Sequence, residues 1–448
     1  MTETNLPKPA AKKPSSVRHT RAIQRDRSKR PPVAPPDPVI AARLAELIHP
    51  ATQAQLAHFR ALGLRERVLT LPVMIALVLS MIWRQVGSVT TLLRLLNQEG
   101  FLWASPVPVS EQALSQRLRV FPAELFRRVL EAILPPMHAR WQARRRPVPP
   151  ELAWARERYA AVLAVDGSTL DALVRKVGLL RDRPEQPLAG RMAARLDLCS
   201  RLPRSLWYEP DAQAHDQRWW PQLLAALPAD ALLAVDLGWT NFRRFAELTA
   251  ARVTFVTRAK RNLAHTVERE LGRTATARET LVRVGTGADR QALRLIEVLD
   301  RGTWRRYLTN ELEPARLPAP YAVALYRQRW PIEEAYATVK RLLGLAYFRV
   351  GSDNGVRLQL WATWILYAVL VDLTDAVAEA LDRPTVALSL EMVYRSLYFF
   401  AQASHRGEAD DPVAYLAAQA SRLGILKRAR TAPATPGADL TLTTTSGP

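Results

Sequence analysis

Two apolar, partly β-branched runs, each ending on an aspartate, constrain the fold of this chain most strongly. The run YAAVLAVDGSTL carries Asp166, and the run ADALLAVDLGWTN carries Asp236. Short continuous apolar runs of this kind are typical of strands that are buried on both faces. Helical patterns such as HDQRWWPQLLAAL lie between the two runs. Strands mixed with helices in this way predict an α/β or α+β sheet domain.

The segment YRQRWPIEEAYATVK, residues 326–340, adds a third carboxylate among cations. On a helical wheel of about 100° per residue, four of its side chains fall within a stripe about 60° wide. They are Tyr326, Arg329, Glu333 and Lys340. Because the neighbouring residues are largely apolar, the helix is expected to be packed, and a narrow charged stripe on a packed helix indicates a site. An exposed helix with an ordinary surface ion network is the alternative interpretation.

Two other residues of this segment sharpen the prediction. Glu334 lies about 80° to 100° from the centre of the stripe, so it is not expected to take part in the site. Pro331 is tolerated in the first turn of a helix but breaks or kinks a helix interior. A helix therefore either begins at Pro331 or bends there.

The three carboxylates predict a metal site. Asp166, Asp236 and Glu333, on two strands and a helix of a mixed sheet, can gather at one edge and hold two divalent cations about 4 Å apart. Ligand sets made only of oxygen atoms favour Mg²⁺, for which Mn²⁺ can substitute. Cys199 is the only cysteine and the seven histidines are scattered, which argues against a zinc site.

The charge of the chain indicates a polyanionic partner. Lys plus Arg outnumber Asp plus Glu by 63 to 42, a formal net charge of +21. Such an excess is typical of nucleic-acid binding, although anionic membrane surfaces also attract it. The apolar stretches at 68–83 and 358–371 are shorter than the roughly 20 residues that cross a bilayer, so core helices and no membrane partner are expected. The single cysteine fits a reducing, cytoplasmic compartment.

The pattern along the chain predicts five parts, with a helical region preceding the sheet domain. They are a disordered, basic and Pro-rich arm at 1–40, a helical DNA-binding domain at 41–138, a linker at 139–157, a catalytic core at 158–400 with a β-rich insertion at about 250–312, and a C-terminal extension at 401–448. The extension loses its pattern from about Leu423, and its end is expected to be disordered.

Two short helices within the helical region predict a DNA-reading element. The helices SVTTLLRLLNQEG and VSEQALSQRLRVFP resemble a helix-turn-helix over about residues 88–134. The outer face of the second helix carries Gln116, Arg117 and Arg119, which are residue types that read base edges and phosphates. An ordinary helical bundle is the alternative.

The spacing Tyr-x2-Arg-x3-Glu-x6-Lys within residues 326–340 resembles the signature of DDE transposases of the insertion-sequence-four group. DGSTL at 166–170 resembles the first-aspartate motif of this family, and VDLGWTNF with FVTRAKRN downstream resembles the second. The order Asp, Asp, β-rich insertion, Glu also agrees, and the resemblance covers about residues 90–375. The chain departs from the family in its Pro-rich arm and in DLGWTNF, where many relatives have an arginine after the aspartate.

The resemblance implies a ribonuclease H-like mixed-sheet core preceded by a helical DNA-binding region. It also implies that Asp166, Asp236 and Glu333 are the metal ligands, and that Tyr326, Arg329 and Lys340 hold phosphates and terminal nucleotides of the DNA. Some relatives cut through a DNA hairpin and extrude a base against a tryptophan of the insertion. Trp304 lies in the corresponding region, where strand packing is the alternative role.

The function implied is a metal-dependent DNA nuclease and strand transferase that moves an insertion sequence. Water would attack a phosphodiester at each element end, and the freed 3′ hydroxyl would then attack target DNA. The expected partners are double-stranded DNA, as terminal inverted repeats and target, and a second copy in a homodimeric synaptic complex. The expected location is the bacterial cytoplasm, with nucleoid association when bound to DNA. A DNA-binding protein or regulator that no longer cuts is the alternative, and the intact carboxylate set favours the enzyme.

Overall fold

Nine strands form one mixed sheet in the part of the chain that the computed structural model describes, which is residues 38–171, 188–345 and 353–428. The strands are β1 (Val162–Asp171), β2 (Leu188–Asp197), β3 (Pro203–Glu209), β4 (Leu232–Val235), β5 (Thr254–Arg258), β6 (His265–Arg273), β7 (Ala277–Val284), β8 (Gln291–Asp300) and β9 (Thr303–Thr309). Their order in the sheet is β3-β2-β1-β4-β5-β9-β8-β7-β6.

The first five strands have the predicted ribonuclease H-like arrangement. β1, β2 and β3 pair antiparallel, whereas β4 pairs parallel to both β1 and β5. All four residues of β4 are buried, as expected for a parallel strand whose two faces are both covered. β6 to β9, in the region of the predicted β-rich insertion, extend the same sheet because β9 pairs antiparallel with β5. The α+β fold class is thus confirmed.

Helices surround this sheet. They are α1 (Pro38–Gln53), α2 (Leu56–Ala61), α3 (Leu71–Trp83), α4 (Val89–Gln98), α5 (Glu111–Val120), α6 (Ala123–Ala143), α7 (Pro150–Arg156), α8 (Trp220–Ala226), α9 (Phe242–Ala250), α10 (Ala319–Arg327), α11 (Pro331–Ala337), α12 (Asp353–Ala380), α13 (Leu390–His405) and α14 (Pro412–Ala418). A π-helical turn, Thr338–Leu342, continues α11.

The N-terminal helices share their hydrophobic core with the rest of the protein. One cluster of buried side chains runs from Ile40 through α3 and α6 to the C-terminal helices, and it includes Met192 and Leu196 of β2. Residues 41–138 therefore pack as part of the same body as the sheet and do not bury a separate core.

α12 is the central helix of this cluster. It spans 28 residues and is long and apolar enough to cross a membrane, but 94% of its most apolar window is buried inside the protein. The apolar helix α3 packs in the same cluster. The structure therefore uses both apolar stretches of the sequence as core helices.

Charged contacts fix residues 139–157, the predicted linker, to α12. Arg144 donates to Asp372 at 2.7 Å and to Asp375 at 2.9 Å, and Arg146 donates to Asp375 at 2.6 Å. The side chains of Asp372 and Asp375 are only 1% exposed. Carboxylates buried to this degree need close cationic partners, and the arginines of the predicted linker are those partners.

The ends of the chain differ in part from the prediction. Residues 1–37 of the predicted arm and residues 429–448 of the extension lie outside the described residues. α1 begins within the predicted arm, and Ile40 is buried. Ile425 is fully buried as well, so packed structure continues past Leu423.

Candidate active site

The two aspartates lie side by side where the parallel pairing of β1 with β4 stops, Asp166 within β1 and Asp236 directly after β4. Val165 of β1 pairs with Val235 of β4, and Asp166 and Asp236 are the next residues on these strands. Asp166 accepts a hydrogen bond from the amide of Gly167 at 2.8 Å. Parallel pairing brings the carboxyl ends of the strands to one edge, which explains why two apolar runs distant in sequence place their aspartates together.

The carboxyl group of Asp166 is held in an unfavourable environment for its charge. Burial raises the pKa of Asp166 to about 7, and the negative charge of Asp236 adds to the effect. The guanidinium of Arg329 and the Gly167 amide act in the opposite direction without cancelling it. Two carboxylates so close together favour either a proton or a cation between them.

Residues 326–340 form more than one helical element. α10 ends at Arg327, and α11 begins at Pro331, which occupies its first turn. Pro331 therefore starts a helix, the first of the two alternatives that the sequence left open. The four residues of the predicted stripe are distributed over two helices, the turn between them and a π-helical turn, so an ideal wheel describes their positions only approximately.

Arg329 nevertheless joins two of the three carboxylates. Its Nη1 donates to Asp166 Oδ2 at 3.0 Å, and its Nη2 donates to Glu333 Oε1 at 2.7 Å. The Arg329 side chain is 11% exposed, and its buried Nε has no hydrogen-bond partner among the described residues. The fork geometry of the guanidinium fixes both acids at once. Arg329 thus holds the two carboxylates in place.

Tyr326 and Lys340 pack beside this pair. The Tyr326 ring contacts Tyr307 edge-on with centroids 5.3 Å apart, and burial raises the pKa of its hydroxyl. Lys340 Nζ donates to the carbonyl oxygen of Thr169 on β1. The ammonium group, expected to face DNA phosphates, therefore also ties the π-helical turn to β1. The predicted DNA contacts of Tyr326, Arg329 and Lys340 stay predictions.

Tyr336 is a site residue that sequence reasoning missed. Its hydroxyl donates to the backbone oxygen of Asp166 at 2.6 Å and accepts from the amide of Ala194 at 2.9 Å. Asp166 and Ala194 are register partners on β1 and β2, so the hydroxyl bridges these two strands at the first aspartate. Because Tyr336 and Glu333 share α11, this bridge fixes the helix against the sheet. A tyrosine on an apolar helix face gives no local signal of such a role.

Asp216 is a second residue that the sequence did not indicate. A Cβ atom at Gly167 would lie 1.8 Å from Asp216 Oδ1, so only glycine allows this carboxylate to approach the first-aspartate motif. Arg191 pairs with Asp216 at 2.6 Å. The charge of Asp216 also contributes to the raised pKa of Asp166.

The predicted DNA-reading helix, α5, keeps only part of its outward face. Gln116 and Arg119 are exposed. Arg117 instead turns inward: its Nη2 donates to the carbonyl of Leu69 at 3.0 Å, and its guanidinium lies 5.1 Å from the Phe121 ring. Its long aliphatic stem and planar head suit this packed position. This arrangement argues against Arg117 as a base-reading residue.

The connection between α4 and α5 also differs from the prediction. It runs from residue 99 to residue 110, whereas a helix-turn-helix has a turn of about three or four residues. A small bridge between Phe101 and Ala104 and the buried Phe101 ring give this connection its own packed structure. The short connection of the predicted helix-turn-helix is therefore wrong.

Trp304 lies on β9 near the tip of the β8–β9 hairpin. Its side chain is 38% exposed, and the guanidinium of Arg278 stacks 4.7 Å from its ring centroid. Asp300, at the end of β8, pairs with Arg327 of α10 at 3.0 Å. This ion pair anchors the hairpin to the helix that precedes the candidate site. The role of Trp304 in holding a base stays a prediction.

The oxygen ligands fit a divalent cation only in part. The charges of Asp166 and Asp236 repel each other, and a cation between them would relieve this repulsion. Glu333 is linked to Asp166 through Arg329. Across the described residues, no three His, Cys, Asp or Glu side chains are grouped closely enough to form a complete site. Asp166, Asp236 and Glu333 stay the candidate metal ligands, and the Arg329 guanidinium lies between Asp166 and Glu333.

The family model and the relatives that match this chain and are named here are all described as transposases. Residues 188–369 match the family model described as "Transposase DDE domain". The chain is 30% identical over 193 residues to "Putative transposase y4zB" of Sinorhizobium fredii (strain NBRC 101917 / NGR234). That alignment covers 39% of this chain and 50% of the relative, so the chain spans about half the length of the curated protein it matches.

One solved structure is similar over most of the chain. It is the cryo-EM structure of the piggyBac transposase synaptic complex with hairpin DNA, with 13% sequence identity and a TM-score of 0.41. The similarity covers 90% of this chain and 89% of the other. The ribonuclease H-like fold of this chain is therefore assigned from the order and direction of its own strands.

We predict that the charge of Asp166 makes stability depend on pH. Its pKa is about 7 in the folded protein against 3.8 as the ordinary value, so the folded state holds this proton more tightly. In the absence of divalent cations, wild type should lose a few kcal/mol of free energy of unfolding relative to Asp166→Asn as the pH rises from about 4 to about 8. Urea unfolding across this range measures it. A difference that does not change with pH contradicts the account.

We also predict that Tyr336→Phe destabilises the protein. The change leaves the buried Ala194 amide and Asp166 carbonyl without their shared partner, which should lower the free energy of unfolding by about 1 to 3 kcal/mol. The matched control is Tyr398→Phe on α13, for which a change within about 0.5 kcal/mol is expected. Equal stabilities for Tyr336→Phe and wild type in urea unfolding would show that the bridge contributes nothing.

Proposed function

We propose, because residues 188–369 match the family model described as "Transposase DDE domain", that the protein cuts DNA at the ends of an insertion sequence and joins the freed ends to target DNA. The matched range includes Asp236 and Glu333, and Asp166 precedes it. The proposal extends to the insertion-sequence-four group because the spacing of Tyr326, Arg329 and the residues that follow resembles its signature.

The observation that carries this proposal is the pair of aspartates at the point where β1 and β4 stop pairing, with Glu333 held beside them. The paired carboxylates of Asp166 and Asp236 concentrate negative charge, as the raised pKa of Asp166 indicates. Arg329 links Asp166 to Glu333 through two hydrogen bonds. Three acids supplied by two strands and one helix match the donor set needed for phosphodiester chemistry.

Asp166, Asp236 and Glu333 are the residues proposed to hold two Mg²⁺ ions, for which Mn²⁺ could substitute. When bound, such ions would activate the attacking oxygen and neutralise charge on the leaving oxygen of a phosphodiester. The protein's own contribution is to place the acids on rigid elements. β1 and β4 fix the aspartates, and α11 fixes Glu333 through the Tyr336 bridge.

The surrounding cations are proposed to bind the DNA backbone. The N–H groups of Arg329 that do not bind Asp166 or Glu333 are proposed to donate to a phosphate oxygen. The net charge of +21 supports a polyanionic partner, because every neutralised phosphate adds to affinity. We propose that this partner is double-stranded DNA, at terminal inverted repeats and target sites, and that two copies of the chain assemble on it in the cytoplasm.

The test is DNA cleavage by variants of the three acids. Asp166→Asn, Asp236→Asn and Glu333→Gln should each lower metal-dependent cleavage of element-end DNA by about 100-fold or more, because each removes a charge that the transition state requires. Binding to the same DNA should remain largely intact, since phosphate contacts come from cations.

Asp230→Asn is the matched control. Asp230 lies before the opposite end of β4 and makes an exposed ion pair with Arg252, so its loss should leave cleavage unchanged. Full cleavage by any of the three acid variants would refute the assignment. A wild-type protein that binds element ends but does not cut them would instead identify a DNA-binding regulator.

A further inference from the structure

We propose that a cavity behind α11 binds a phosphate group of the DNA backbone, at a site separate from the carboxylates. This inference depends on the proposed function. The cavity, here called the rear pocket, has a volume of about 450 Å³ and lies between α11, the π-helical turn, α13 and the chain around residue 427. Its charged lining residues are Arg201, Glu334, Arg341, Glu391, Arg395 and Lys427.

Cations from four different segments converge on the rear pocket. Arg201 follows β2, Arg341 lies in the π-helical turn, Arg395 is on α13, and Lys427 follows α14. Among the described residues that line the pocket, two carboxylates accompany these four cations, so positive charges outnumber negative ones. Like charges brought together from distant parts of a chain cost free energy unless an anion binds between them. The arrangement therefore favours an anionic ligand.

The carboxylate of Glu334 makes only weak ion pairs with the cations of the rear pocket. It lies 3.6 Å from Arg201 and 3.5 Å from Lys427, longer than the roughly 2.7 to 2.9 Å of a strong ionic hydrogen bond. The Glu334 side chain is 44% exposed. By contrast, Glu391 pairs closely with Arg395 at 2.8 Å. Glu334 is thus the weaker anion of the pocket, and a doubly coordinated phosphate oxygen can replace it.

Two further features support a phosphate. α13, a helix of 16 residues, begins at the rear pocket, where Leu390 and Glu391 line the wall. The N-terminus of a helix favours negative charge. Burial, followed by the charge of Arg201, lowers the pKa of Lys427 despite the proximity of Glu334. Burial therefore makes the Lys427 ammonium group favour a nearby anion.

The position of the rear pocket explains why the phosphate would come from DNA. Glu333 turns to Arg329 and the candidate active site, and the adjacent Glu334 turns to Arg201 and the rear pocket. Adjacent residues lie about 100° apart around a helix, so the two sites lie on neighbouring faces of the same short helix. One DNA strand can reach both sites.

Substitutions in the rear pocket should change DNA affinity in opposite directions. Glu334→Gln removes the anion that competes with phosphate, so duplex binding should tighten several-fold at low salt. Lys427→Gln removes a phosphate contact, so binding should weaken several-fold and the slope of log K against log salt should decrease by about 0.9. The measurement is fluorescence anisotropy of a labelled duplex in EDTA between 50 and 200 mM salt.

Arg252→Gln is the control for a general loss of positive charge, since Arg252 is 71% exposed and pairs with Asp230 away from the rear pocket. It should bind like wild type, and thermal unfolding should show that all variants are folded. Equal affinities for wild type, Glu334→Gln and Lys427→Gln would overturn the proposal while leaving DNA cleavage at Asp166 intact.

Inorganic phosphate separates the two sources of the ligand. Free phosphate that stabilises wild type but not Lys427→Gln, with no effect of either pocket variant on duplex binding, would make the rear pocket a small-anion site and contradict the DNA assignment. A wild-type protein that binds no duplex at all would refute the proposed function together with this inference. Opposite shifts for the two variants are the result that the proposal requires.

Discussion

The guanidinium of Arg329 is the contact on which the candidate site depends. Parallel pairing of β1 with β4 forces Asp166 and Asp236 together, and burial makes their charges unfavourable. Arg329 offsets part of this cost and, with its other arm, holds Glu333. One planar cation therefore connects a strand to a helix. The electrostatic cost that remains raises the pKa of Asp166, and a further cation beside the two aspartates would lower this cost.

The scaffold around the site explains why α11 is held so firmly. Its inner face belongs to the large hydrophobic cluster that also contains the N-terminal helices and α12. Ion pairs from Arg144 and Arg146 to buried acids of α12 lock the segment before the sheet to the same helix. Removing either side of such a pair would leave a buried charge without compensation. The N-terminal helices are thus structural support for the site, whatever DNA contacts they make.

The sequence predicted those parts of the structure that local patterns determine. The two apolar runs ending on aspartates became β1 and β4, and Pro331, whose conformational limits are intrinsic, starts a helix. The predictions failed where a distant partner decides. Arg117 has the position of a base-reading residue, yet its guanidinium is used by the Leu69 carbonyl and an aromatic ring. No periodicity along α5 contains that information.

The same reason accounts for the residues that were missed or only partly understood. Tyr336 matters because Asp166 and Ala194 face each other across two strands, and Lys340 meets Thr169 only because a π-helical turn redirects it. Glu334, predicted to lie apart from the stripe, pairs with Arg201 in the structure and lines the rear pocket. These are properties of pairs of elements, and a pattern within one element cannot specify them.

The central claim is that Asp166 and Asp236 together attract divalent cations. Titration of the protein with Mn²⁺, with free Mn²⁺ measured by electron paramagnetic resonance, tests this claim most directly because it needs neither DNA nor catalysis. The account predicts saturable binding by wild type that strengthens as the pH rises through about 7, where Asp166 loses its proton, and that is strongly weakened by Asp166→Asn or Asp236→Asn. Binding that is the same in wild type and in both variants would contradict it.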